Sequence, residues 1–231
     1  MADRTPSDLD RYPRPSVAVD VAVMTVTAGG ELGVLLHRRT GDRAGTWALP
    51  GRFLRERERL GSAVERTLEE KCGLSRKALA GRTPRQLHVF DDPDRDDRGW
   101  VLSVAHLLAM PYARLESSVA ADEAVTIATI RRDRVVLPDG QKALPYGQDE
   151  IIARAHGELR TAYRDVPDPE RFIDADTFTL SELADVHFAI LGKEHWAIDT
   201  FRRKMSRQLR ETGEVSRGGP GRPAAVFQRK R

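Results

Sequence analysis

Residues 47–74, WALPGRFLRERERLGSAVERTLEEKCGL, carry the pattern on which the fold turns. Leu60, Ala63, Val64, Thr67 and Leu68 recur at spacings of three and four, which predicts an amphipathic helix from about Leu60 to Cys72. Gly73 is its C-terminal stop. Trp47 to Phe53 reads as a loop broken at Pro50-Gly51. Thr67, Glu70 and Lys71 stand at i, i+3 and i+4, so they share one helix face. Carboxylates at all of them would build a hard, oxygen-lined site for magnesium. The chain offers a hydroxyl, a carboxylate and an ammonium instead, and Lys71 repels a divalent cation. Thr67 fits the apolar stripe as well as the polar face, and the sequence leaves that open. Glu65 and Glu69 form an acid pair about 100° away and read as a solvated edge.

Working outward, residues 17–27, VAVDVAVMTVT, are rich in β-branched side chains and predict a buried strand. Gly29-Gly30 turns the chain, and Leu32 to His37 returns as the second arm of a hairpin. Further strands are expected at Gln86–Phe90, Trp100–Met110 and Val125–Arg131. Between the first two of these lies DDPDRDDRG, residues 91–99, too charged for core and dense in turn signals. A second helix from about Gln148 to Arg164 aligns Ile152, Ala155, Leu159 and Ala162, and Pro167 and Pro169 end it. Pro138, Gly140, Pro145 and Gly147 place a domain boundary within 133–147.

The 231 residues suffice for one large domain or two modest ones. No apolar run approaches the roughly 20 residues of a membrane span, and the charged amino terminus lacks the apolar segment of a signal peptide. One cysteine, Cys72, fits a reducing cytoplasm and sits where a buried structural thiol belongs. His37, His88 and His106 lie in or beside strands and read as hydrogen-bonded core or edge histidines. From Lys193 onward 11 Lys and Arg face 4 Asp and Glu, a net of +7, whereas the rest of the chain carries −4. A basic end of this kind suits a polyanionic partner.

That basic end is patterned. In FTLSEL, residues 178–183, Thr179 is an N-cap, Glu182 reaches back to it, and Phe178 packs on Leu183. Leu183, Val186 and Ile190 then form the buried stripe of a short helix closed by Gly192. Asp199 is positioned to cap a second helix, TFRRKMSRQLRE, with Phe201, Met205 and Leu209 facing inward. Thr200, Arg202, Arg203, Ser206, Arg207 and Arg210 remain outward with Lys204 at the margin, as in a recognition helix for a major groove. Val215 and Ala225 to Phe227 are expected to pair around Gly218-Gly219-Pro220-Gly221, with Arg217 and Arg222 flanking the turn. Such a wing delivers guanidiniums to phosphates or a minor groove.

With these residues in place, the first stretch resembles the Nudix box, G-x5-E-x7-R-E-U-x-E-E-x-G-U with U aliphatic. Aligned on Gly73 and Leu74, Glu58, Arg66, Leu68 and Glu70 match the frame. Arg52 stands at the first glycine, and Thr67 and Lys71 replace clustered glutamates, so the resemblance implies a retained fold without its metal site and without catalytic residues. A degenerate Nudix domain followed by a winged helix resembles the Nudix-related transcriptional regulators of NAD metabolism, the NrtR family. FTLSEL, FRRKM and GRPA (221–224) carry that resemblance, and DPDRDDRGWVLSVA (92–105) is shared in kind with ADP-ribose pyrophosphatases. The implied fold class is α+β: an N-terminal Nudix-type α/β/α sandwich with a C-terminal winged helix domain. The expected divisions are an arm at 1–14, an effector-binding domain at 15–145, and a linker helix with the DNA-binding domain at 146–231.

Family membership implies a homodimeric cytoplasmic repressor, associated with a bacterial nucleoid, on palindromic double-stranded operator DNA of NAD biosynthesis or salvage genes. ADP-ribose or a related NAD metabolite would release it, with no cofactor or metal required. Arginine forks match phosphate oxygens, so Arg38, Arg39, Arg43, Arg52 and Arg98 are candidates for the effector diphosphate, beside Glu70. Trp47 or Phe90 is a candidate platform for an adenine. Arg52 points either to the former metal position or to solvent. The alternative is an active Nudix hydrolase that cleaves ADP-ribose to AMP and ribose 5-phosphate, with a nucleic-acid-binding appendage. A third reading is a nonspecific basic protein acting on RNA.

Overall fold

The computed structural model describes residues 11–216 and 223–230. Most of the expected arm, and the wing turn with Arg217 and Arg222, lie outside the described residues. Strand β1 (Ser16–Val26) sits at the centre of a mixed eight-stranded sheet. It runs antiparallel to β2 (Leu32–Arg38), with Met24 opposite Val34. The two-residue β3 (Trp47–Ala48) pairs antiparallel with the end of β2, and β4 (Gly51–Phe53) pairs with β1. Helix α1 (Leu60–Cys72) follows, then β5 (Arg85–Phe90) and β6 (Val101–Ala109), the latter parallel to β1. Helix α2 (Tyr112–Ala121), β7 (Val125–Arg131) and the short β8 (Arg134–Val135) complete the order β5-β6-β1-β2-β7-β8.

Alternation along β1 explains the layers. Val19, Val21 and Val23 pack with Ala63, Val64, Leu68 and Cys72 of α1 on one face. Ala22 and Met24 face the other way, onto helix α3 (Gln148–Ala162) through Ile151, Ile152, Ala155 and Leu159. A strand buried on both faces needs apolar side chains at both parities, which is what its β-branched run supplies. Gly73 ends α1 in the left-handed conformation, φ 63°, as its position predicts. Helix α2 is not anticipated from the sequence, because only Leu115 and Ser118 of its ten residues are buried and they set no readable stripe.

The C-terminal unit comprises β9 (Thr177–Thr179), α4 (Leu180–Leu191), α5 (Ile198–Ser206), β10 (Leu209–Ser216) and β11 (Ala224–Arg229). Thr179 and Glu182 form the expected capping box: Thr179 Oγ1 accepts from the Glu182 amide at 3.2 Å, and the Glu182 carboxylate accepts from the Thr179 amide at 2.7 Å. Val215 lies opposite Ala225, as expected, and β9 adds a third strand to the wing sheet.

The second helix differs from expectation. It ends at Ser206, and Leu209 begins a strand. Leu209 remains in the same small core as Phe201 and Met205, so the four-residue spacing signals burial without signalling a continuous helix. Gly213, at φ 83°, accompanies a register break in the wing and favours the strand. Ala197 occupies the N-cap without a side-chain bond, so Asp199 is a first-turn residue, where its charge suits the helix dipole.

Asp168 ties the two units together. Its buried carboxylate accepts from Tyr163 Oη at 2.6 Å, from the amides of Phe172 and Ile173, and from Arg229 at 2.6 Å. Nε2 of His156 on α3 lies 2.9 Å from the Ile190 carbonyl of α4, and Val186, Ile190 and Leu191 share a core cluster with α3. Removing one partner of a buried pair leaves an uncompensated charge. Arg229→Ala is therefore expected to destabilise the C-terminal unit by about 3–5 kcal/mol in urea unfolding; a loss below about 1 kcal/mol, the value of an exposed pair, would contradict this assignment.

Candidate functional site

The face of α1 that bears Thr67, Glu70 and Lys71 is not acidic in space. Thr67 is fully buried, and its hydroxyl donates to the Ala63 carbonyl at 2.6 Å, so it belongs to the core. Glu58 accepts from Arg66 through two bonds of 2.7 and 2.8 Å. The Arg66 bonds, with the Arg55 amide, hold the Glu58 carboxyl down at about 2. Glu70 meets Arg52 at 2.8 Å, with Arg55 and Arg66 at 3.5 and 3.9 Å. Both surviving acids of the frame are consequently neutralised by internal guanidiniums.

A cleft opens beside this face, between β1, β2, β4, α1, the 91–99 loop and the start of α3. Five cationic side chains line it, Arg39, Arg52, Lys71, Arg95 and Arg98, against the carboxylates of Asp20 and Asp96. Asp20 accepts from Ser103 Oγ at 2.5 Å and from Gln148 Nε2 at 2.8 Å, and burial raises its pKa. Gly51 is required next to it, since a Cβ there would come within 2.3 Å of Asp20 Oδ1. Asp96 receives a bidentate pair from Arg98 at 2.7 and 2.8 Å. Burial, reinforced by Arg52 and Arg39, lowers the Lys71 pKa. The cleft is an anion receptor in character, with acids satisfied and cations in excess.

Of the expected effector residues, the structure brings Arg39, Arg52 and Arg98 to this cleft, with Glu70 bonded to Arg52. It does not bring the others to the lining. Arg38 lies over the Trp47 ring at 4.6 Å and pairs with Asp139, and Arg43 pairs with Asp97. Trp47 is buried and its indole N–H donates to Asp139, which leaves no open ring face. Phe90 packs against the core cluster under α3. Two aromatics line the cleft, Phe53 and Tyr146, the latter with the guanidinium carbons of Arg98, Arg39 and Arg43 at 4.4, 5.0 and 5.2 Å from its ring centroid. The left-handed backbone of Tyr146, φ 57°, lies in a stretch that reads as a linker, so the sequence carries no signal for it beyond the neighbouring Pro145. Arg95, Asp20 and Gln148 carry no site signal in the sequence either, and His37, read there as a core or edge histidine, is buried and also lines the cleft.

At the other end, Arg202, Arg203, Arg207 and Arg210 are exposed. Among the described residues their guanidiniums make no hydrogen bond or ion pair. Arg210 lies on β10, so the basic surface passes from helix to wing. Thr200 and Ser206 are half-buried. Lys204 is engaged within the molecule, pairing with Asp165 and lying 4.5 Å from the Trp196 ring. The exposed arginines have the spacing and freedom that phosphate or base contacts need.

The NUDIX domain model matches residues 15–135, and the model described as the NrtR DNA-binding winged helix domain matches 175–228. The chain belongs to the Nudix family and carries an NrtR winged helix. A curated relative from Acinetobacter baylyi, the ADPR responsive transcriptional repressor NtrR, is 27% identical over 94% of this chain and 83% of its own. The crystal structure of Shewanella oneidensis NrtR complexed with a 27mer DNA superposes with a TM-score of 0.73, at 28% identity over 93% of both chains. An ADP-ribose pyrophosphatase from Methanocaldococcus jannaschii is 33% identical over 49% of this chain and 62% of its own, so the Nudix domain is shared with a hydrolase as well. No helix among the described residues is long and apolar enough to cross a membrane.

Burial, with the Lys71 charge next, lowers the His37 pKa from 6.5 to about 4. The unfolded chain therefore binds the extra proton between these values, and stability is lost as the pH falls through that window. An NMR titration of the His37 ring is expected to show a neutral imidazole down to pH 5, with a midpoint about 4. A midpoint at the free value would show that the cleft wall is solvated.

Proposed function

We propose that the chain is a ligand-responsive transcriptional repressor: the winged helix binds a palindromic operator, and an ADP-ribose-class metabolite in the Nudix cleft releases it. The observation that carries this reading is the inverted charge of the cleft, set on the same polypeptide as an NrtR winged helix. The relative from Acinetobacter baylyi, named for its response to ADPR, supports the choice of effector. Regulation of NAD biosynthesis or salvage genes, action as a homodimer on two half-sites, and residence at the nucleoid complete the proposal.

Helix α3 is the proposed connection. Tyr146 and Gln148 at its beginning line the cleft, and Tyr163 at its end bonds Asp168, which also holds Arg229 of the wing. An effector shifts the repressor only through different affinities for the DNA-competent arrangement and the released one. Hydrolysis, the competing activity, needs carboxylates free to hold magnesium. Glu58 and Glu70 are instead occupied by Arg66 and Arg52.

Operator affinity is expected to fall several-fold or more at saturating ADP-ribose in a mobility-shift titration, and unchanged affinity would contradict the effector assignment. In the reading head, Arg203→Ala or Arg207→Ala is expected to weaken operator binding by about 1–3 kcal/mol if a bidentate base contact is lost. ADP-ribose binding by the same variants should stay at the wild-type level. Wild-type DNA affinity in both variants would show that neither side chain reaches the duplex.

A further inference from the structure

The magnesium that the Nudix fold implies does not fit the side chains present. Thr67 is committed to the core, Lys71 takes an acid's place, and Glu58 and Glu70 are bonded to arginines. Among the described residues no group of three or more His, Cys, Asp or Glu side chains could hold a metal ion. We propose that Lys71 and Arg52 stand in for the metal, so that the cleft binds a nucleoside-diphosphate-type ligand through fixed side-chain cations and without a divalent ion.

Two observations point from these residues to a ligand. Lys71 lines the cleft half-buried, and among the described residues its ammonium has no hydrogen bond or ion pair. Arg52 uses one terminal nitrogen on Glu70, while its Nε is buried without an acceptor. A buried donor left unmade is costly; a phosphate oxygen in the cleft supplies the acceptor that Lys71 lacks, and one that Arg52 Nε meets once its guanidinium turns toward the ligand. Arg39, Arg95 and Arg98 surround the same space, so both phosphates of a diphosphate can meet a cation. The carboxylates lining the cleft already accept from Ser103, Gln148 and Arg98, which leaves no oxygen set to recruit a metal. In a hydrolase, magnesium links phosphate to protein; here free magnesium only competes for the phosphates.

The inference rests on the effector reading above, and calorimetric titration of ADP-ribose into the full chain, in EDTA and in magnesium, separates the two. Binding is expected in both, no weaker in EDTA. Lys71→Gln should weaken binding in EDTA by about ten-fold, the loss of one charge-assisted hydrogen bond, while ligand-free operator affinity reports that the variant is folded. Lys71→Glu should weaken it further in EDTA and recover in part when magnesium is added. Binding that requires magnesium, or a Lys71→Gln variant that binds as the wild type does, would overturn the inference and leave the effector reading standing. Absence of binding in both buffers would remove the effector reading itself.

Discussion

Helix α3 must satisfy three neighbours with one set of side chains. Its apolar stripe closes one face of the Nudix sheet, its first residue reaches a buried aspartate on the cleft wall, and its far end meets the winged helix. A helix fixed this way cannot tilt or slide without disturbing all of them, because packed interfaces switch between discrete arrangements and do not deform continuously. Gln148 shows how tight the constraint is: it donates to Asp20 and accepts from the Leu49 amide at 2.8 Å, so it reads strand and loop together. The cleft wall and the C-terminal unit are thereby joined through one helix.

The helix face that bears Glu70 and Lys71 keeps the frame of the Nudix domain but inverts its charge. A hydrolase places acids on this helix face so that a metal can bridge protein and phosphate. Here Lys71 and Arg52 bring the positive charge directly, and Glu70 serves to orient Arg52. On the proposed reading, this exchange keeps phosphate recognition and gives up the generation of a metal-bound nucleophile. A fold used for hydrolysis in the Methanocaldococcus relative is thus compatible with sensing in this chain.

Much of the architecture was legible in the sequence because it rests on local pattern. The dual-parity strand β1, the three-and-four spacing of α1 and the capping box of α4 each depend on neighbours a few residues apart, and the Val215–Ala225 pair spans one hairpin. What escaped is set by long-range contact. Tyr146 reaches the cleft from a turn more than ninety residues from Arg52, and Asp20 is a lone acid in an apolar strand until Gln148 and Ser103 close on it. Trp47 illustrates the converse error: an aromatic beside a binding loop suggests a stacking platform, yet Arg38 and Asp139 enclose it. The end of α5 was misplaced for a subtler reason, since Leu209 is buried whether the chain continues as helix or turns into strand.

Linkage makes any coupling between cleft and wing measurable from the ligand side. If ADP-ribose weakens operator binding, operator DNA must weaken ADP-ribose binding by the same factor. The decisive measurement is the ADP-ribose dissociation constant of the free chain and of the chain saturated with operator duplex. Weaker ligand binding on DNA is expected, by the factor found for DNA release. Equal constants in the two states would contradict it, since the cleft and the reading head would then be independent.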